Sequence, residues 1–262
     1  MSRLPIFLLI LAVVTQSPFA VRCHAQLDYD FDPGVVEEVI EDEAVPVWIG
    51  TIAAGLNGKT GNSQTTDVNV EFNFSRETEK ALTTVLANYY YSENNVATVT
   101  DRAFLQFRQE RKLANPKWSL FYQTGFEWDD FKDYDYRVAL HTGLAYMLYE
   151  LEDRFFKLRF GGGASKEVGS PNEDWSPELQ LGGDWERKLS RKTRLFATFD
   201  FFPNVSAFSD YRLNTNAGMD FLLDVEKNIT FRLFGTSLYD STPPPGDNRN
   251  DLSYGAALVV GF

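Results

Sequence analysis

Cysteine is almost missing from this chain: its 262 residues hold one, Cys23, and only two histidines, His24 and His141. If the first 25 residues are removed, no thiol is left for a disulfide or a nucleophile. One histidine cannot build a metal site of three or four His and Cys ligands. No metal and no cofactor is expected. Long apolar runs are also lacking: after residue 25 no stretch reaches the roughly 18 to 20 residues that a spanning helix needs. Basic residues are absent from 26–46, where eight acids stand (Asp28, Asp30, Asp32, Glu37, Glu38, Glu41, Asp42, Glu43). The remaining 47–262 carry 23 basic against 29 acidic side chains, so the whole-chain charge of -12 overstates the acidity of the folded part. So acidic a surface excludes nucleic acid as a partner.

The N-terminus reads as an export signal. It has a positive start at Arg3, an apolar stretch from Ile6 to Val14 and a small-residue end at Cys23-His24-Ala25, with cleavage expected after Ala25. Arg22 argues against lipid attachment at Cys23, because a small residue is needed before the cysteine. Residues 1–25 are thus assigned to a signal peptide, 26–46 to a solvated acidic periplasmic segment, and 47–262 to one domain.

That domain is built from alternation. Twelve segments, near 47–56, 65–76, 81–92, 100–112, 117–128, 134–149, 154–166, 175–188, 192–202, 210–222, 228–239 and 250–262, switch between apolar and polar residues with period two. Trp118, Leu120, Tyr122, Thr124, Phe126 and Trp128 share one face; Ser119, Gln123, Gly125 and Glu127 share the other. An even number of such strands implies an all-β, antiparallel, up-and-down transmembrane β-barrel of the bacterial outer-membrane type.

Parity does not say which face looks outward, but charge does. The polar faces carry Arg102, Arg108, Lys157, Arg159, Glu178, Arg212 and Arg232, which a dry soluble core could not hold unpaired, so the apolar face is assigned to lipid. Aromatics near strand ends (Trp48, Trp128, Tyr134, Trp175, Trp185, Tyr211, Tyr239) are placed in girdles at the two interfaces. Brief connections at 77–80, 113–116, 151–153, 189–191 and 225–227 alternate with mostly longer ones at 57–64, 93–99, 129–133, 167–174, 203–209 and 240–249. This pattern puts five turns and both ends of the barrel in the periplasm.

Several motifs are decoys. Ala53-Ala54-Gly55-Leu56-Asn57-Gly58-Lys59-Thr60 approaches a phosphate-binding loop, but the next segment alternates as a strand instead of opening a helix, so a Gly-Asn hairpin is expected. The acidic loop 129–135 lacks the central glycine and terminal glutamate of a calcium loop. Gly161-Gly162-Gly163 is read as relief of crowding or a bend in the barrel wall. His141 points inward beside Arg137 and is read as a hydrogen-bonded wall residue, since no Gly-x-Ser-x-Gly elbow accompanies it.

The inward charges are the functional candidates. Arg102, Arg108, Arg137, His141, Lys157, Arg159, Arg194 and Arg212 face Glu71, Glu127, Glu178, Asp184 and Asp200 across a narrow interior. Two readings stand side by side: a charged filter for ions or small solutes, or a salt-bridged plug. The last strand places Leu252, Tyr254, Leu258, Val260 and Phe262 on one face. Its Gly255, Leu258, Val260 and Phe262 match the C-terminal signal taken up by the barrel assembly machinery.

Trp48-x-Gly50, Gly58-Lys59-Thr60-Gly61-Asn62, Ser75-Arg76-Glu77-Thr78-Glu79, 131–137, Ser209-Asp210-Tyr211-Arg212-Leu213 and Tyr239-Asp240-Ser241-Thr242-Pro243-Pro244-Pro245-Gly246 together resemble the YdiY-like salt-stress-induced outer membrane proteins, a domain family of unknown function. The resemblance spans about 47–262. It implies residence in the cell outer membrane among its lipids, and it supplies no catalytic residues. The expected role is a narrow channel for ions or small solutes in osmotic adaptation. A closed structural or surface-interaction barrel ranks second, and a barrel lipid hydrolase third; no enzymatic activity is expected.

Overall fold

The computed structural model describes residues 48–59, 65–94, 97–171, 173–243 and 248–262, with only the backbone described at 56–59 and 65. The expected signal peptide, the acidic segment, the Gly61-Asn62 loop and most of the Pro-Pro-Pro-Gly turn lie outside the described residues.

Twelve strands follow one another: β1 (Trp48–Lys59), β2 (Thr65–Glu77), β3 (Ala81–Asn94), β4 (Thr98–Lys112), β5 (Trp118–Asp129), β6 (Tyr136–Leu151), β7 (Arg154–Val168), β8 (Ser176–Ser190), β9 (Thr193–Pro203), β10 (Tyr211–Asp224), β11 (Ile229–Asp240) and β12 (Asn250–Gly261). Each pairs antiparallel with its sequence neighbours, and β1 pairs with β12, closing the barrel. At 11 to 16 residues each, the strands meet or exceed the roughly 9 to 11 that cross a bilayer when tilted.

Period two becomes inside and outside. On β5, Phe121 and Gln123 are buried while Tyr122, Thr124 and Phe126 are exposed; on β12, Ala257 and Val259 are buried while Leu252, Tyr254, Leu258 and Val260 are exposed. The exposed large apolar side chains, Leu105, Phe107, Leu140, Leu144, Phe160, Leu179, Leu181 and Leu233 among them, belong to the outer face. An apolar exterior around an ionised interior inverts the soluble-protein arrangement and fits only surroundings of lipid.

Aromatic pairs mark both rims. Near the longer loops Phe126 stacks on Tyr136 at 5.4 Å, and Tyr211 lies between Phe201 (5.4 Å) and Tyr239 (5.6 Å). Near the short turns Trp118 contacts Tyr146 at 4.7 Å, and Phe74 meets Phe262 edge-on at 5.9 Å. One expected girdle member is displaced: Tyr134 is buried and donates to Glu127 at 3.1 Å.

The connections also need correction. Strands β3 and β4 extend further than expected, leaving only 95–97 between them, so loop length does not alternate strictly; the turn 113–117 at the opposite end is longer. Ala53 to Lys59 is the second half of β1, paired with β2 up to Lys59·Thr65, so the connection of this hairpin is 60–64 instead of 57–64.

The closing seam sets a small residue in three of its four pairs, Thr51·Gly261, Ala53·Val259 and Ala54·Leu258. The β1–β12 ladder runs only from Thr51·Gly261 to Ala54·Leu258, whereas β1 pairs with β2 along its whole length. Beyond Gly261, Gly50 and Phe262 exchange backbone hydrogen bonds of 2.8 and 2.9 Å. A Cβ on Gly50 would lie 2.7 Å from the Phe262 ring and 2.9 Å from the Phe74 ring, so the bare glycine is what lets those rings meet over the seam. Gly50→Val should therefore lower stability by about 1–3 kcal/mol through overpacking. Heat-modified migration in detergent gels reads this out: the folded band of Gly50→Val should convert to the unfolded position at a lower temperature than wild type, and an unchanged transition would refute the packing role.

Candidate functional site: the lumen

Three lumen-facing rows run across β5 to β9, each setting bulky side chains against glycine or alanine on a neighbouring strand. They are Phe121·Gly143·Gly161·Gln180, Gln123·His141·Gly163·Glu178 and Ala145·Arg159·Gly182·Asp200. The glycines serve two ends. A Cβ on Gly143 would meet the Phe160 carbonyl oxygen and one on Gly161 the Thr142 carbonyl oxygen, so the sheet bends too tightly there for any side chain. A Cβ on Gly182 would meet Asp200 Oδ1 and the Arg159 guanidinium, so this glycine vacates the space in which those groups pair. As a result Phe121, Arg159 and Gln180 are fully buried, and this part of the lumen is solid.

Arg159 is the hub of that filled half. Its guanidinium is 0% exposed, bonds Asp184 through Nη1 and donates from Nη2 to Asp200 Oδ1 at 3.1 Å. Asp200 Oδ1 also accepts from Gln180 Nε2 at 2.9 Å. From Asp184 the network continues to Arg108 (3.7 Å), then Glu110 (3.6 Å), which receives Lys157 Nζ at 2.8 Å. Because Arg108 and Glu110 stand on β4 while Asp184 and Lys157 stand on β8 and β7, this chain of charges is a chord across the lumen. It walls off the β5–β6 side.

Nearer the loops, Glu178 gathers three donors: Arg212 Nη2 at 2.6 Å, Ser165 Oγ at 2.7 Å and His141 Nε2 at 3.2 Å. The Phe202 ring lies 4.9 Å from His141 and 5.4 Å from the Arg212 guanidinium. Arg137 bonds Glu167 and lies 3.3 Å from Glu127, with its guanidinium 4.8 Å over the Tyr134 ring. Burial and the Glu127 carboxylate push the Tyr134 hydroxyl far above its ordinary range, so it remains a donor.

Two further chords brace the closing seam. Arg232 on β11 holds Asp220 at 2.8 Å and reaches Glu71 on β2 at 3.1 Å, spanning β12 and β1; Arg194 binds the same Asp220 at 2.6 Å and Glu186 at 3.0 Å. Arg102 on β4 donates to Ser253 on β12 at 3.3 Å, lies 4.0 Å from Asp251 and covers the Tyr90 ring at 4.9 Å.

What stays open is a cavity of about 390 Å³ on the β2–β4 and β9–β12 side. Its lining runs from Thr84, Trp185 and Glu186 near the short turns to Lys132, Asp240 and Arg249 at the loop end. Of the residues singled out from sequence, Arg102, Arg108, Arg137, Arg194, Arg212, Glu71, Glu127, Asp184 and Asp200 line it. His141, Lys157, Arg159 and Glu178 do not; they belong to the filled half. Glu110, Asp220, Gln180 and Glu186 went unnoticed. Glu110 shares the parity of Arg108 on β4 and Asp220 that of Arg212 on β10, so the same alternation carried the signal. Of the terminal residues, Leu258, Val260 and Phe262 are on the outside and Gly255 packs beside the Phe234 ring.

The closed antiparallel wall, apolar outside and charged within, is that of an outer-membrane β-barrel. The chain belongs to the family described as protein of unknown function, DUF481, whose model matches residues 52–262. No curated protein matches it. Among solved structures it is similar to the COG4313 outer membrane channel from Pseudomonas putida F1, at 14% identity and a TM-score of 0.49 over 89% of this chain and 100% of that one. It is also similar to the translocator domain of the autotransporter NalP from Neisseria meningitidis, at 13% identity and a TM-score of 0.42 over 85% and 90%. A third similar structure, the KdgM porin, shows 10% identity and a TM-score of 0.40 over 82% and 96%.

Replacing Arg159 by Gln strands Asp184 and Asp200 beside each other, and breaking a buried pair from one side costs about 3–5 kcal/mol. Urea titration of the barrel in detergent should show that loss; a midpoint within error of wild type would remove Arg159 from its role as hub.

Proposed function

We propose that this protein is a narrow outer-membrane channel for ions or small solutes, serving osmotic adaptation. A single observation carries the reading: one cavity is lined by residues from both ends of the strands, Glu186 and Trp185 at one and Lys132 and Arg249 at the other. A barrel of this size would leave a wider bore if its side chains were short; here the filled β5–β8 half narrows it to an off-centre passage. Export by removal of residues 1–25, and insertion by assembly machinery that takes up the last strand with its outward Leu258, Val260 and Phe262, complete this reading.

The second reading, a closed structural barrel, draws support from the chords: Arg108–Asp184, Arg232–Glu71 and Arg102–Asp251 each tie distant walls together. A lipid hydrolase finds less support. The Ser165 hydroxyl donates to Glu178 and not to His141, and His141 is buried, so the carboxylate stands where a nucleophile would need its base. The reading adopted is of a barrel without catalysis.

Planar bilayers decide between the first two. Purified protein should give small conductance steps, and none across a range of salts would end the channel reading. Arg108→Glu, which alters the cavity wall, should move the reversal potential in a salt gradient toward cation preference. Lys112→Gln should leave it unmoved, because neither Lys112 nor its partner Glu77 borders the passage.

A further inference from the structure

We propose that the passage favours small polar solutes without net charge, of the sugar and polyol kind, over ions of either sign; this rests on the channel reading. The cavity lining holds eight Lys and Arg side chains and eight Asp and Glu side chains among the described residues. They are not segregated into a basic and an acidic wall. Arg232 is neutralised by Asp220 and Glu71, Arg194 by Asp220 and Glu186, Arg212 by Glu178, and Arg137 by Glu127 and Glu167. Opposite charges paired this closely cancel one another's field within a few ångströms. An ion entering so narrow a bore gives up hydration, and the lining offers no net field of either sign to offset that loss.

Neutral polar solutes meet a different surface. Between the charged clusters the wall is amide and hydroxyl: Asn88, Gln106, Thr198, Asn214, Asn216 and Thr236. Side-chain amides and hydroxyls offer both donors and acceptors to a hydroxyl-bearing solute. Hydroxyl groups supply donors without bringing charge. The Phe104 ring borders the same space and suits the apolar face of a sugar ring.

Glucose, glucuronate and glucosamine share a ring and differ in charge, so they separate the possibilities. Vesicles containing the full barrel, preloaded with each solute in potassium salts and treated with valinomycin to dissipate charge, should release glucose several-fold faster than either charged analogue. Release of glucuronate or glucosamine as fast as glucose overturns the inference. Exclusion of glucose from protein that conducts in planar bilayers overturns it while leaving the channel reading intact, whereas no release and no conductance fails the channel reading itself. Asp251→Asn removes the carboxylate 4.0 Å from Arg102 at a half-exposed position and so tips the charge balance at the mouth toward positive. It should raise glucuronate release relative to glucose several-fold, and an unchanged ratio would show that charge balance is not what discriminates.

Discussion

A strand in lipid has no water to satisfy its backbone, so every edge must find a partner or the sheet cannot exist there. That constraint orders the whole molecule. It requires β1 to pair with β12, and it turns the two-residue period of each strand into an outside and an inside. Side chains of alternating parity are thereby driven into a shared interior, where charges must find one another instead of water. The small seam residues, Gly50, Ala53, Ala54, Ala257 and Gly261, are the local answer to the requirement.

The interior follows from closure by a second step. Once Arg159 is enclosed, a guanidinium without carboxylates would be very costly, and Asp184 on β8 and Asp200 on β9 supply them. Glycine on the intervening position, Gly182, lets the group lie flat against the wall. Chords such as Lys157–Glu110 and Arg232–Glu71 then join strands that are not neighbours in the sheet, which makes the barrel resist flattening. The same pairs that brace the wall also remove the net field from the bore, so mechanical and electrostatic character share one cause.

Much of this was legible in the sequence because β-barrels write their faces in parity. Strand order and strand number follow from alternation, and the outward placement of Tyr122, Leu140, Leu258 and Phe262 follows once the charges assign the other face to the interior. Depth does not. Parity puts Arg108 and Arg159 on equal footing, yet one borders the cavity and the other is sealed beneath its neighbours. The difference arises from Gly143, Gly161 and Gly182 on adjacent strands, which no single strand's pattern records. Tyr134 was misplaced for a related reason: a tyrosine next to a strand end reads as a membrane-interface residue until the position of Glu127 across the turn is known. Strand β9 offered aromatics on both faces, so Phe196 and Phe202 gave no sign that they would sit beneath the guanidiniums of Arg232 and Arg212.

The seam has a further consequence, one of time. Every ladder but one joins strands adjacent in sequence, so each can form as a hairpin across a short connection at small entropic cost. The pairing of Thr51 with Gly261 instead joins the first strand to the last, and the contacts holding it are fewer than along any hairpin. Closure must therefore wait for the entire curved sheet to be in place, and Arg232–Glu71 cannot form until it has happened. The pairing that pays the largest loop-closure entropy is thus also the shortest ladder of the barrel.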